Sequence, residues 1–356
     1  GAELAEKHEY ACKLNTVATF EVVSSSPNKS SQQLIPLQPL TITFNQSICH
    51  NAEEAAKFKP TITPKKKASP GSWVVNPKNL RQLVFPPEEP WAQSTTYTVA
   101  IKKGATSSAN ESLQADFSFD FSTSPLEVVK FYPDPSEASE EPVFGRNQAV
   151  FVQFNQRVDA TKVLPTIRCA AGGKTVPIQA VSSKRISKLT GDLAKLIKKA
   201  GPEYFVVFEP SQEWTPDSSV AVDVGPSTPS AEGDNLTAYT KSFSFKVTPI
   251  FDVMMIEPSN WGQEINSDKI YLSFMFNQPL LASSCEDKSW MQFELMTTPN
   301  SGKLLPKVAD LVTWEVKDNI LATSTKVQLK PSSLYRFTVK SGGIKSVFDE
   351  HLPTAR

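Results

Sequence analysis

The side chains of this sequence that could carry chemistry are three histidines, four cysteines, a few acidic pairs and one dense group of lysines. His8, His50 and His351 are widely scattered, and no GxSxG, HExxH or Cys/His signature accompanies them. His50 follows Cys49 directly, but neighbours on an extended strand project to opposite faces and would not meet as base and nucleophile. Cys12, Cys49, Cys169 and Cys285 show no CxxC or zinc-ligand spacing. A Cys12–Cys49 bridge is the one pairing open inside a single domain. The pairs Glu53-Glu54 and Glu140-Glu141 lie in polar stretches, with nothing to desolvate and poise them as acid and base. Asp134 and Asp252 lack the dense acidic neighbours of a calcium site. There is no Walker loop and no dinucleotide GxGxxG. Catalytic residues, cofactors and metals are therefore not expected.

The lysines are better organised. From Ser183 to Gly201, Ile186, Leu189, Leu193, Leu196, Ile197 and Ala200 recur at helical spacing, and Gly201-Pro202 is a stop signal. The pattern predicts one amphipathic helix over 183–201, covering a sheet edge or an open end of a core. Its polar face carries Lys184, Arg185, Lys188, Lys195, Lys198 and Lys199 against Asp192 alone. That face is either a partner-binding surface for something anionic or the solvated side of a packed helix. Lys65-Lys66-Lys67, between prolines, reads as an exposed hairpin tip.

The elements that must hold such residues are strands. The tripeptide Phe-Asn-Gln occurs at 44–46, 154–156 and 276–278. Each copy ends a run in which apolar and polar residues alternate, the period of a half-buried strand. About twenty residues earlier lies an apolar strand starting near Phe20, Glu127 and Phe251. Later comes a strand that breaks at proline and resumes, in Leu83–Ile101, Val206–Val224 and Val327–Lys340. Units one and two close on ADFSFDFST and KSFSFKVT, where phenylalanine alternates with polar residues. The third unit stops short of the place of that last strand, as a segment of a longer protein would. Units near 110 residues, built of short strands and Pro-, Ser- and Asn-rich turns, predict an all-β chain of three tandem antiparallel β-sandwiches. The expected layout is a tail over 1–16 and domains over 17–124, 125–249 and 250–356, the second holding the helical insert.

In composition, 39% hydrophobic and 10% aromatic residues supply a core for each domain. Thirty-seven basic residues balance thirty-seven acidic ones, which removes the usual electrostatic case for nucleic acid as the main partner. No apolar run is long enough for a membrane-spanning helix. Asn28, Asn45, Asn110 and Asn235 open glycosylation sequons. Trp91 and Trp214, at matching places in two units, read as core or interdomain plugs rather than sugar platforms.

Several motifs taken together resemble a known family. The run from Val206 through Glu209-Pro210, Trp214 and Val222 to Gly225 and Ser230-Ala231-Glu232-Gly233, followed by KSFSFKVT, resembles the amino-terminal region of bacterial-type alpha-2-macroglobulins. Pro258 and Ile270–Leu280 match the family's next domain opening. Ser332–Leu352 resembles that domain's ending, with Glu350 where glycine is usual. The likeness spans most of residues 17–352.

The resemblance implies macroglobulin-like domains of a large secreted or periplasmic protease trap. Its partners would be the remaining domains of the same chain and the target proteases. The family's Cys-Gly-Glu-Gln thioester and its bait region are not found in these residues, so no functional residue is carried over. The alternative is a cell-surface adhesin or stalk of bacterial Ig-like repeats.

Overall fold

In a computed structural model the structure describes residues 19–28, 36–49, 58–65, 68–137, 142–257, 270–286, 288–298, 301–305, 312–326 and 328–356. The fold is all-β, a tandem series of β-sandwiches. Among the described residues six sheets pair into three sandwiches, and every strand pair is antiparallel except one.

The first sandwich has strands β1 (Val22–Ser26), β2 (Leu40–Phe44), β3 (Thr61–Thr63), β4 (Val74–Val75), β5 (Gln82–Phe85), β6 (Thr96–Ile101) and β7 (Phe117–Ser122). Its sheets run β1-β2-β5-β4 and β3-β6-β7. Alternation puts Leu40, Ile42 and Phe44 on one inner face and Tyr97, Val99, Ile101, Phe119 and Phe121 on the other, in one continuous core. Trp91 sits inside it, edge-on to Tyr97 and Phe121, its indole N–H donating to the Gln38 carbonyl at 3.1 Å. Burial leaves that N–H no water, so the carbonyl is its required partner.

The second sandwich has β8 (Val128–Tyr132), β9 (Val143–Phe144), β10 (Val150–Phe154), β11 (Ile167–Ala171), β12 (Lys174–Thr175), β13 (Ile178–Ala180), β14 (Phe205–Pro210), β15 (Ser219–Val224) and β16 (Lys241–Val247). Its sheets run β13-β14-β10-β8 and β12-β11-β15-β16-β9, with β9 and β16 the parallel pair. Among the described residues three short α-helices interrupt the strands: α1 (Ala160–Val163), α2 (Ser183–Ile186) and α3 (Gly191–Ala200). Trp214 repeats the Trp91 arrangement, donating to the Gln148 carbonyl at 2.9 Å. Both tryptophans are core side chains.

The third sandwich has β17 (Val253–Glu257), β18 (Tyr271–Phe276), β19 (Met291–Thr298), β20 (Ser301–Leu304), β21 (Val312–Lys317), β22 (Ile320–Thr325) and β23 (Tyr335–Val339). Its sheets run β17-β18-β22-β21 and β20-β19-β23. Arg356 exchanges two backbone hydrogen bonds with Val339 of β23. By compactness the chain forms two units. Unit 1 is residues 1–127 with 155–159 and 227–237, and unit 2 is 128–154, 160–226 and 238–356.

One order recurs in all three sandwiches: the opening strand lies at a sheet edge beside the Phe-Asn-Gln strand, with a register shift in that pair. The repeated asparagine explains the recurrence. Asn45 accepts from the Glu21 N–H (3.1 Å) and donates to the Thr19 carbonyl (2.7 Å). Asn155 does the same with Glu127 (2.9 Å) and Pro125 (3.1 Å), and Asn277 with Asp252 (2.9 Å) and Ile250 (2.7 Å). An amide offers one acceptor and two donors, so it can staple the polar backbone of an incoming strand where the register shifts. The staple reaches across the sheet rather than capping its own strand end locally.

Candidate functional site

The helical insert of the second sandwich is the candidate interaction surface, and its underside determines what remains exposed. Val150, Val152 and Phe154 of β10 belong to the buried inner face of their sheet, while Phe151 faces the opposite way. On that outer face Ala149, Phe151, Val181, Leu193 and Val207 form a second small core. Ile186, Leu189, Leu196, Ile197 and Ala200 pack against it. The insert therefore covers the outer face of the β13-β14-β10-β8 sheet, not an edge or an open end, and this is why β10 reads as buried on both sides.

The single helix expected over 183–201 is two helices. Ser182 caps α2, its hydroxyl accepting from the Arg185 N–H at 3.3 Å. The chain then breaks, Thr190 takes the N-cap position of α3 in an extended conformation without a side-chain capping bond, and Gly191 takes φ +68°. The sequence does hold this signal: Thr190-Gly191-Asp192 is a capping residue, a conformationally free residue and an acid suited to a first turn. The apolar period, continuous across the break, masks it. Gly201 at φ +75° ends α3.

The six basic side chains divide by partner. Arg185 pairs with Glu209 at 2.9 Å and donates to the Asn147 carbonyl at 3.2 Å. Lys195 pairs with Asp192 at 2.9 Å, and the ammonium hydrogen bond holds that carboxyl below its ordinary value. Burial, with the Asp192 charge added, raises the Tyr132 phenol beneath the insert. Lys184, Lys188, Lys198 and Lys199 are exposed, and among the described residues no acidic side chain pairs with them. The structure thus reduces the sequence-derived patch to four uncompensated lysines.

Other chemistry-bearing residues have structural employment. His351 lies on the surface with its ring Nδ1 3.1 Å from the Gly342 carbonyl; His8, His50, Cys12, Glu53-Glu54 and Glu140-Glu141 fall outside the described residues. Cys169 and Cys285 are buried, free thiols. Burial pushes Cys169 up to about 12 and raises Cys285 as well, leaving both as thiols rather than nucleophilic thiolates. Cys169 borders a shallow, mostly apolar recess of about 420 Å³ whose lining includes Leu164, Pro165, Val176, Pro177 and Ile178. Among the described residues no group of three or more His, Cys, Asp or Glu could hold a metal ion. Likewise no helix there is long and apolar enough to cross a membrane.

Two buried polar clusters escaped the sequence reading. In unit 1, Gln156 accepts from the Ser94 and Ser230 hydroxyls (2.8 Å each) and donates to the Ser124 carbonyl (2.8 Å). Arg157 lies against Glu232, and Gly233 passes so close to the 93–94 backbone that a Cβ would sit 2.1 Å from the Ser94 oxygen. In unit 2, the Glu350 carboxylate is 3% exposed and accepts from Thr248 and from Gln278 (both 3.1 Å). Arg146 Nε lies 3.2 Å away, near enough for an ion pair though misdirected for a hydrogen bond. Glu350 thus supplies a buried carboxylate that ties the second sandwich to the third.

Comparison with known proteins adds a family match over part of the chain. Residues 16–123 match the family described as "Bacterial Ig-like domain". Dictyostelium discoideum "Circularly permutated Ras protein 2" is 23% identical over 235 residues, 62% of this chain, and the chain spans only 6% of that protein's length. Among solved structures, native alpha-2-macroglobulin of Escherichia coli (domains MG0-NIE-MG1) aligns over 92% of this chain and 97% of that one, at 12% identity and TM-score 0.23. L,D-transpeptidase 3 of Mycobacterium tuberculosis aligns over 46% of this chain and 57% of that one, at 15% identity and TM-score 0.21. The S-layer protein SbsC aligns over 95% and 54%, at 10% identity and TM-score 0.21. Superpositions this loose carry no argument about what the chain does.

Proposed function

We propose that this chain is a non-catalytic scaffold segment of a large alpha-2-macroglobulin-like, broad-spectrum protease inhibitor, with the thioester and bait region in other parts of that protein. The supporting observation is the structural employment of its repeated polar side chains. Asn45, Asn155 and Asn277 staple entering strands, Gln156 and Gln278 hold the carbonyls of residues 124 and 249, and Glu350 joins two sandwiches. Polar groups so committed build a frame rather than poise a reaction. The domains of this reading run 17–124, 125–249 and 250–356, after a tail over 1–16. Its location is the periplasm or the cell exterior, and its partners are the rest of the same chain and the proteases the whole molecule encloses.

The test is the intact mass and peptide map of the native gene product. A product several times heavier than 39.2 kDa, with a protease-sensitive stretch or a methylamine-reactive thioester outside this segment, is the expected result. The Ig-like family match over 16–123 favours a second reading, an adhesin or stalk of Ig-like repeats. A product continuing as near-identical repeats into a wall anchor would replace the first reading with this one.

A further inference from the structure

We infer that the exposed face of the helical insert docks a linear phosphate-bearing polymer through Lys184, Lys188, Lys198 and Lys199. The first ground is charge. The chain as a whole is neutral, yet among the described residues these four ammoniums have no carboxylate partner, while Arg185 and Lys195 on the same insert are neutralised by Glu209 and Asp192. At a Debye length of about 10 Å, a local group of this kind keeps its attraction whatever the distant balance of charge.

The second ground is shape. Lys184 lies on α2, Lys188 in the turn after it, and Lys198 and Lys199 in the last turn of α3. All are exposed rather than set around a cavity, so the insert suits repeated charges on an extended chain, not a single small anion. The third is chemistry. The only guanidinium on the insert is consumed by Glu209, which removes the forked donor best matched to carboxylates. Compact, hydrated ammoniums remain, and these bind phosphate oxygens as point charges. A bilayer is disfavoured because the apolar side of the insert (Leu193, Leu196, Ile197) is turned onto the β13-β14-β10-β8 sheet and offers nothing to insert among lipids.

The test uses the full chain and inorganic polyphosphate, with binding followed by fluorescence anisotropy across a salt series. Four neutralised phosphates predict a log–log salt slope of about −3, so affinity falls roughly 50- to 150-fold between 50 and 200 mM salt. Replacing all four lysines by glutamine should abolish binding, each single Lys→Gln should flatten the slope by about 0.7–0.9, and the paired variant Asp192→Asn/Lys195→Gln should bind as the parent does. Unchanged thermal unfolding in the quadruple variant separates lost docking from lost folding. The proposal is overturned by no binding at 50 mM salt, or by binding that survives the quadruple substitution. It is equally overturned if anionic phospholipid vesicles bind more tightly than polyphosphate of equal charge.

Discussion

At the residue scale, three kinds of side chain decide what can be altered. The Phe-Asn-Gln asparagines each satisfy two backbone groups, so Asn277→Ala should cost about 1–2 kcal/mol in urea unfolding. Asn277→Asp keeps the acceptor, loses the donor, and should fall between parent and alanine. Glu350→Ala removes the buried carboxylate beside Arg146 and strands the Thr248 hydroxyl and one of the two Gln278 amide bonds. A loss of about 3 kcal/mol is expected, moderated because Arg146 also holds Glu213 at 2.8 Å. An Arg146→Ala/Glu350→Ala cycle whose effects simply add would refute that pairing. The hydrogen bond from the Arg356 guanidinium holds the Asp252 carboxyl below its ordinary value. A depressed carboxyl stabilises the fold above the unfolded value and loses that contribution as pH falls through the lower folded value. Stability should thus decline more steeply below about pH 3.8 in the parent than in Asp252→Asn, read as unfolding midpoint against pH. Of these residues, the repeated asparagines were visible in the sequence as a recurrence, but their partners lie 24–30 residues away and only the fold brings them together. Glu350 was visible only as an oddity.

At the element scale, strands were legible and the helix was not fully so. Alternation places Leu40, Ile42 and Phe44 correctly because a two-residue period leaves no choice of face once one side is buried. The insert misleads for the same kind of reason: its apolar residues keep helical spacing across Thr190-Gly191, since both halves bury against one sheet. Leu193 is the anchor of that contact, and Leu193→Ala should cost about 2–3 kcal/mol and raise hydrogen exchange in α3 before the strands beneath. Gly191→Ala puts a Cβ at φ +68°, so about 1 kcal/mol is expected there even with open space around it. That the insert lies on a sheet face was hidden, because an apolar stripe says that a helix packs and not against what.

At the scale of the whole molecule, the tandem β-sandwich class follows from the repeat, since each unit carries its own strand set, turn residues and aromatic core. The basic surface was legible as a list of six residues, and four remain once ion pairs are drawn, because charge pairing depends on neighbours such as Glu209 that are distant in sequence. The frame also fixes how the buried thiols of Cys169 and Cys285 behave in time. Cys169 sits in the second sandwich and Cys285 in the third, each sealed from solvent and held in its neutral form. A thiol reagent can reach either only while its own sandwich is transiently open, so the rate of labelling clocks that opening from within. If the Glu350 tie makes the two sandwiches breathe as one body, both cysteines should react with a single half-life in the parent, and Glu350→Ala should split it into two.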